Sequence, residues 1–103
     1  NNENKIKLQH NLFDNDALIL NNLSSKYVDI KTINHKKFIR FYFNDFETLA
    51  IWATNDEQTK FVCLEPWSGI NIDYQKINDK IGSNKLNINE EKTYSYTIQV
   101  KGE

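Results

Sequence analysis

The chain predicts an all-β, antiparallel β-sandwich of six or seven short strands, and three observations carry that expectation. Apolar and polar residues alternate with a period of two in several segments, short polar turns separate those segments at hairpin spacing, and no stretch sustains a helical period over a useful length. The 103 residues give room for one small domain, and 39% hydrophobic with 13% aromatic residues is enough to bury a core. The polar opening "NNENK" contributes nothing to the fold class.

The first candidates, "LQHNLF" and "ALIL", are short strands joined by "DND". In the next pair, Val28, Ile30 and Thr32 alternate with Asp29, Lys31 and Ile33, and "KKFIRFYF" follows the turn-like "NHK". There Ile39, Phe41 and Phe43 share one face while Phe38, Arg40 and Tyr42 share the other, which makes a hairpin. "LAIWAT" and "FVCLE" flank the polar "NDEQTK" and form a second hairpin. A long polar segment then has room for one helical turn in "DYQKINDK". The last strand, "KTYSYTIQV", has Tyr94, Tyr96, Ile98 and Val100 in strict alternation with Thr93, Ser95, Thr97 and Gln99.

Several of these strands are apolar on both sides, as in "KFIRFYF", and a lone two-layer sandwich of this length leaves much of one face bare. The expectation is that a partner, such as a second copy of the chain, or the remainder of a larger fold covers it. Lys and Arg number 13 against 14 Asp and Glu, a formal charge of −1, so no basic excess points to nucleic acid. No run of 18 apolar residues or signal-like opening occurs, which gives no membrane partner and a cytoplasmic expectation. The single Cys63 lies in an apolar strand, as expected of an inert buried thiol in a reducing compartment.

The stretch with most chemical content is "FVCLEPWSG". Alternation puts Phe61, Cys63 and Glu65 on one side and Val62 and Leu64 on the other, so a carboxylate shares a face with a phenyl ring and a thiol. Pro66 is expected to end hydrogen bonding on one side and to hold Glu65 extended at a strand end. A carboxylate fixed against an apolar surface is a candidate general base; the competing expectation is a solvated rim residue paired with a lysine. Trp67 is either a core plug in a proline-containing turn or a stacking platform for a sugar ring. Asp16 heads an apolar strand after a polar turn, where aspartate commonly stabilises the turn. Asp73 and Asp79 read as solvated loop residues. His35 falls in a hairpin turn and His10 near the edge of an early strand, and neither has a companion at ligand spacing, so no metal is expected. Cys63 has no visible base, and the isolated glycines of "SGI" and "IGS" make no phosphate loop.

Taken in order, "LFDNDALIL", "FNDFETLAIWAT", "FVCLEPWSGI" and "DKIGSNKLNINEEKTYSYTIQV" resemble the C-terminal part of the aldose 1-epimerase (galactose mutarotase-like) family. The resemblance is strongest to its LacX-like branch, in which a Cys-Ile/Leu-Glu-Pro-Trp-x-Gly segment precedes a Lys-x-Gly turn and a final alternating strand. It covers nearly the whole chain after the first few residues, and the Glu-Pro-Trp segment is its most specific motif. The resemblance implies that residues 1–103 are the C-terminal segment of one galactose mutarotase-like supersandwich domain. It implies a catalytic base at Glu65, a substrate-binding role for Asp16, an aldohexose such as galactose or glucose as substrate, and no cofactor. The family's acid histidine belongs to an earlier segment, and neither His10 nor His35 occupies a matching motif, so the chain alone is expected to be inactive. The alternative is a non-catalytic carbohydrate-binding β-sandwich.

Overall fold

The computed structural model describes residues 4–56, 58, 60–69 and 85–102, all but the side chain of His10. Among these residues a 3-10 turn, His10–Phe13, precedes six strands: β1 (Leu18–Asn21), β2 (Tyr27–Ile30), β3 (Phe38–Tyr42), β4 (Thr48–Trp52), β5 (Cys63–Trp67) and β6 (Thr97–Lys101). They form two antiparallel three-stranded sheets, β1-β4-β5 and β2-β3-β6, so the all-β sandwich expected from the alternation is the observed architecture. Both expected hairpins are present, with Val28 opposite Phe41 in the first and Ala50 opposite Glu65 in the second.

The apolar faces of the two sheets meet in one core. Phe41 and Phe43 come from one layer and Leu49 and Ile51 from the other, with Phe13 and Ala53 completing the cluster. Phe43 and Leu49 are almost wholly shielded from solvent. Burial of such side chains stabilises by about 1.5–3 kcal/mol each, which makes this cluster the main reason the layers stay together. β4 is the centre of its sheet, and Thr48, Leu49, Ala50 and Ile51 are buried in succession, the signature of a strand covered on both faces.

Four local expectations are corrected. "LQHNLF" is not a strand: Leu12 N–H donates to Gln9 O and Asp14 N–H to Asn11 O, closing a 3-10 turn that drives Phe13 into the core. His10 therefore stands in that turn rather than at a strand edge. The strand in "FVCLEPW" does not stop before Pro66, because Leu49 pairs with Pro66 and Thr48 with Trp67. Among the described residues β5 is hydrogen-bonded to β4 alone, and such an edge strand tolerates a residue without an N–H. Only Thr97–Lys101 of the last alternating stretch pairs, since β3 offers five residues and no more; Tyr94 and Tyr96 instead pack their rings 5.6 Å from Phe46 and 5.4 Å from Phe41. "DYQKINDK", with Asp73 and Asp79, and "IGS" lie outside the described residues.

The two-sided strands leave the predicted bare surface. Ile39, Ile98 and Val100 share the face of β2-β3-β6 that carries Phe41, yet they are 41%, 61% and 68% exposed. The opposite face of that sheet carries a polar and aromatic cluster. Arg40 donates to both carboxylate oxygens of Asp29, at 2.7 and 3.0 Å, and its guanidinium lies 4.1 Å from the centre of the Tyr27 ring. The Arg40 hydrogen bond holds the Asp29 carboxyl below its ordinary range. Beyond β6, Gly102 takes φ +82°, and a Cβ there would meet the Lys36 carbonyl oxygen, so only glycine fits.

Candidate functional site

The outer face of β1-β4-β5, away from the core, carries Glu65, Trp67 and Cys63. Strand alternation and register put Cys63, Glu65 and Trp67 of β5 on this face, beside Trp52, Ala50 and Thr48 of β4 and Ile19 and Asn21 of β1. Glu65 stands in the middle of the strand, not at its end. Ala50 is opposite it and Ile19 is one strand further on, so a small side chain lies between two larger ones. Thr48 is buried and its hydroxyl donates to the Asn21 side-chain oxygen, which closes one flank of the surface.

A cleft of about 440 Å³ opens on this face, within the range of about 300–1,000 Å³ usual for small-molecule sites. Among the described residues its wall is made by Glu65, Trp67, Trp52 and Ile19, and by the turn Asn15, Asp16 and Ala17. The structure thus brings together Glu65 and Asp16, two residues 49 positions apart in sequence that the sequence singled out separately. Glu65 is half-buried and, among the described residues, no hydrogen bond or ion pair engages its carboxylate. The expected lysine partner for a solvated-rim glutamate is not among them. A half-buried carboxylate with free lone pairs facing a cleft is able to accept a proton from a bound hydroxyl.

Asp16 reaches the cleft by an unusual backbone. Its φ is 88°, in the left-handed region, its N–H donates to Phe13 O at 3.1 Å, and one carboxylate oxygen accepts the Ala17 N–H at 2.8 Å. The turn-stabilising role expected of Asp16 is therefore real, and its second carboxylate oxygen remains available at the exposed mouth.

Trp67 and Cys63 depart from their expected settings. Trp67 is half-buried, continues the strand, and takes no part in the core cluster, so it is not a core plug. Cys63 is a free, half-buried thiol on the outer face, two residues from Glu65, rather than a fully buried one. Trp52 was not singled out in the sequence; its signal was the hairpin register, which sets it opposite Cys63 and diagonal to Glu65. Its ring also packs 6.4 Å from Phe61 and touches the core.

His35 is exposed in the connection between β2 and β3, and no histidine lines the cleft among the described residues. Among those residues no group of three or more His, Cys, Asp or Glu could hold a metal ion, and no helix is long and apolar enough to cross a membrane. A second cleft of about 350 Å³, between Gln9, Phe13, Lys60 and Phe61, has Lys60 as its one charged lining residue among those described.

Two curated proteins of Lactococcus lactis subsp. lactis are similar to this chain: Protein LacX, chromosomal, and Protein LacX, plasmid. Each is 34% identical over 77 residues, which is 75% of this chain and 25% of the relative. The chain therefore spans about a quarter of the length of these relatives. No protein-family model matches the chain. No solved structure matches it.

Proposed function

We propose that this chain is the C-terminal part of an aldose 1-epimerase, in which Glu65 is the general base that interconverts the α and β anomers of a hexose. One observation carries the proposal: the carboxylate of Glu65, half-buried and without a partner among the described residues, faces a cleft it shares with Asp16 and two tryptophans. The Glu-Pro-Trp motif and the similarity to the LacX proteins support the same reading.

In this reaction Glu65 takes the proton from the anomeric hydroxyl while an acid gives a proton to the ring oxygen, and the bond between the anomeric carbon and the ring oxygen breaks to leave an open-chain aldehyde. Rotation about the bond between the first two carbons presents the other carbonyl face. Reclosure by the reverse proton transfers gives the second anomer and restores both groups. Proton transfer is the whole of the chemistry, so a carboxylate and an acid are sufficient. Asp16, at the mouth of the cleft, accepts hydrogen bonds from the sugar hydroxyls. The acid is a histidine from strands upstream of this chain, which also cover the bare face of β2-β3-β6.

The test is Glu65→Gln in the full-length protein, assayed by polarimetry with freshly dissolved α-D-galactose and α-D-glucose. The isosteric amide keeps the shape of the site, and the rate is expected to fall about 10²- to 10⁴-fold, the usual share of a positioned general base. An unchanged rate sinks the assignment. The cleft lined by two tryptophans and two carboxylates also suits a second reading, a sugar-binding module without an acid, which a parent protein lacking an upstream histidine would favour. That module would show saturable binding by calorimetry and no conversion of anomers in the parent protein.

A further inference from the structure

Glu65 and Trp67 are two residues apart on one strand, so their side chains leave the same face with about 6–7 Å between them. Trp52 stands on the neighbouring strand in register with Cys63, on the other side of Glu65 along β5. The carboxylate is thus bracketed by two indoles, over a row whose central member is the small Ala50.

The two tryptophans are not equivalent. Trp52 packs against Phe61 and the core, which fixes its ring. Trp67 is half-buried, lines the cleft, and among the described residues has neither a ring nor a cation stacked on it. An indole held on a strand and lining a cleft beside an unpaired carboxylate is matched by a ligand that is apolar on one side and rich in hydroxyls on its edge. A pyranose fits that description. An aldohexose with an axial hydroxyl on the opposite side offers the most continuous patch of C–H groups.

We propose that Trp67 is the stacking platform of this cleft, binding the C–H face of a pyranose so that its anomeric hydroxyl reaches Glu65, with Trp52 as the opposing wall. The proposal rests on the epimerase reading for the identity of the ligand and extends it to a residue that sets affinity and sugar preference. The platform touches the sugar alike before and during ring opening, so it governs binding rather than the proton transfers.

The probe is methyl β-D-galactopyranoside, which keeps the C–H face and cannot mutarotate. Titrated into the full-length protein, it is expected to perturb tryptophan fluorescence saturably. Trp67→Ala raises its Kd about 5- to 10-fold, the worth of one aromatic contact, and Trp67→Phe raises it about 2-fold because a ring remains. In the polarimetric assay Trp67→Ala raises KM by the same factor and leaves kcat within about 3-fold. Methyl β-D-glucopyranoside is expected to lose less affinity in Trp67→Ala than the galactoside does. A Kd for Trp67→Ala equal to that of the parent, a loss confined to kcat, or no saturable signal with the parent overturns the platform. Failure of the catalytic assignment is seen separately: if Glu65→Gln retains mutarotation, the base is elsewhere, while the galactoside titrations still decide the role of Trp67.

Discussion

Asp29 on β2 and Glu65 on β5 are both carboxylates in register with the central strand of their own sheet. Asp29 faces Arg40, which donates two hydrogen bonds to it, whereas Glu65 faces Ala50, which has nothing to offer a charge. Both positions are partly shielded from water. The difference is that one charge is compensated by its cross-strand neighbour and the other is left open to a cleft. Partial burial of an uncompensated carboxylate costs stability, and such sites are tolerated where a ligand or a reaction uses the group. The polar face of the β2-β3-β6 layer thus holds a charge that its own sheet satisfies, and the outer face of β1-β4-β5 holds one that its sheet does not.

The largest effect on that contrast comes from removing what the two layers share. Phe43 is 1% exposed in the core between them, and Phe43→Ala is expected to cost about 3–5 kcal/mol of stability in urea denaturation. Both layers should lose structure together; loss confined to one would show that the sheets fold independently. Next is the second carboxylate of the cleft. Asp16→Gly suits the positive φ while deleting the carboxylate, so sugar affinity is expected to fall about 10-fold by calorimetry. Stability should move by no more than about 1 kcal/mol, because relief of the left-handed backbone offsets the lost hydrogen bond to Ala17. The smallest effect is on the compensated carboxylate. The pKa of Asp29 is lowered in the folded state by Arg40, so the pair stabilises fully above the ordinary value of 3.8 and loses that contribution as pH falls through the lowered folded value. Parent and Asp29→Asn should differ in thermal midpoint at neutral pH and converge in acid, whereas a gap that widens below pH 3.8 would contradict the pairing.

The alternation of apolar residues was sufficient to read the two hairpins and the sandwich, because a half-buried strand must repeat every two residues. It misread "LQHNLF", where the need to bury Phe13 from a polar segment is met by a 3-10 turn rather than by a ladder. It also shortened β5 at Pro66 and lengthened β6 through Tyr94. Both errors concern which strand lies next door, and that is a property of the sheet, not of the segment. An edge position makes Pro66 harmless, and the five-residue length of β3 sets where β6 begins to pair. At the cleft, the face on which Glu65 stands was legible from alternation. The meeting of Glu65 with Asp16 was not, since it depends on β1 and β5 flanking β4 in one sheet. Of the two settings the sequence left open for Trp67, the core plug is ruled out because continuation of the strand turns its ring to the outer face.

The contrast between the two carboxylates is tested most directly by measuring mutarotation rate and urea midpoint on the same two variants of the full-length protein, Glu65→Gln and Asp29→Asn. The expected result is a crossing. Glu65→Gln loses about 10²- to 10⁴-fold in rate and keeps or raises its midpoint, while Asp29→Asn keeps its rate and lowers its midpoint. A Glu65→Gln variant that turns over galactose like the parent, or that unfolds as Asp29→Asn does, would contradict the assignment of Glu65 to chemistry and return it to the scaffold.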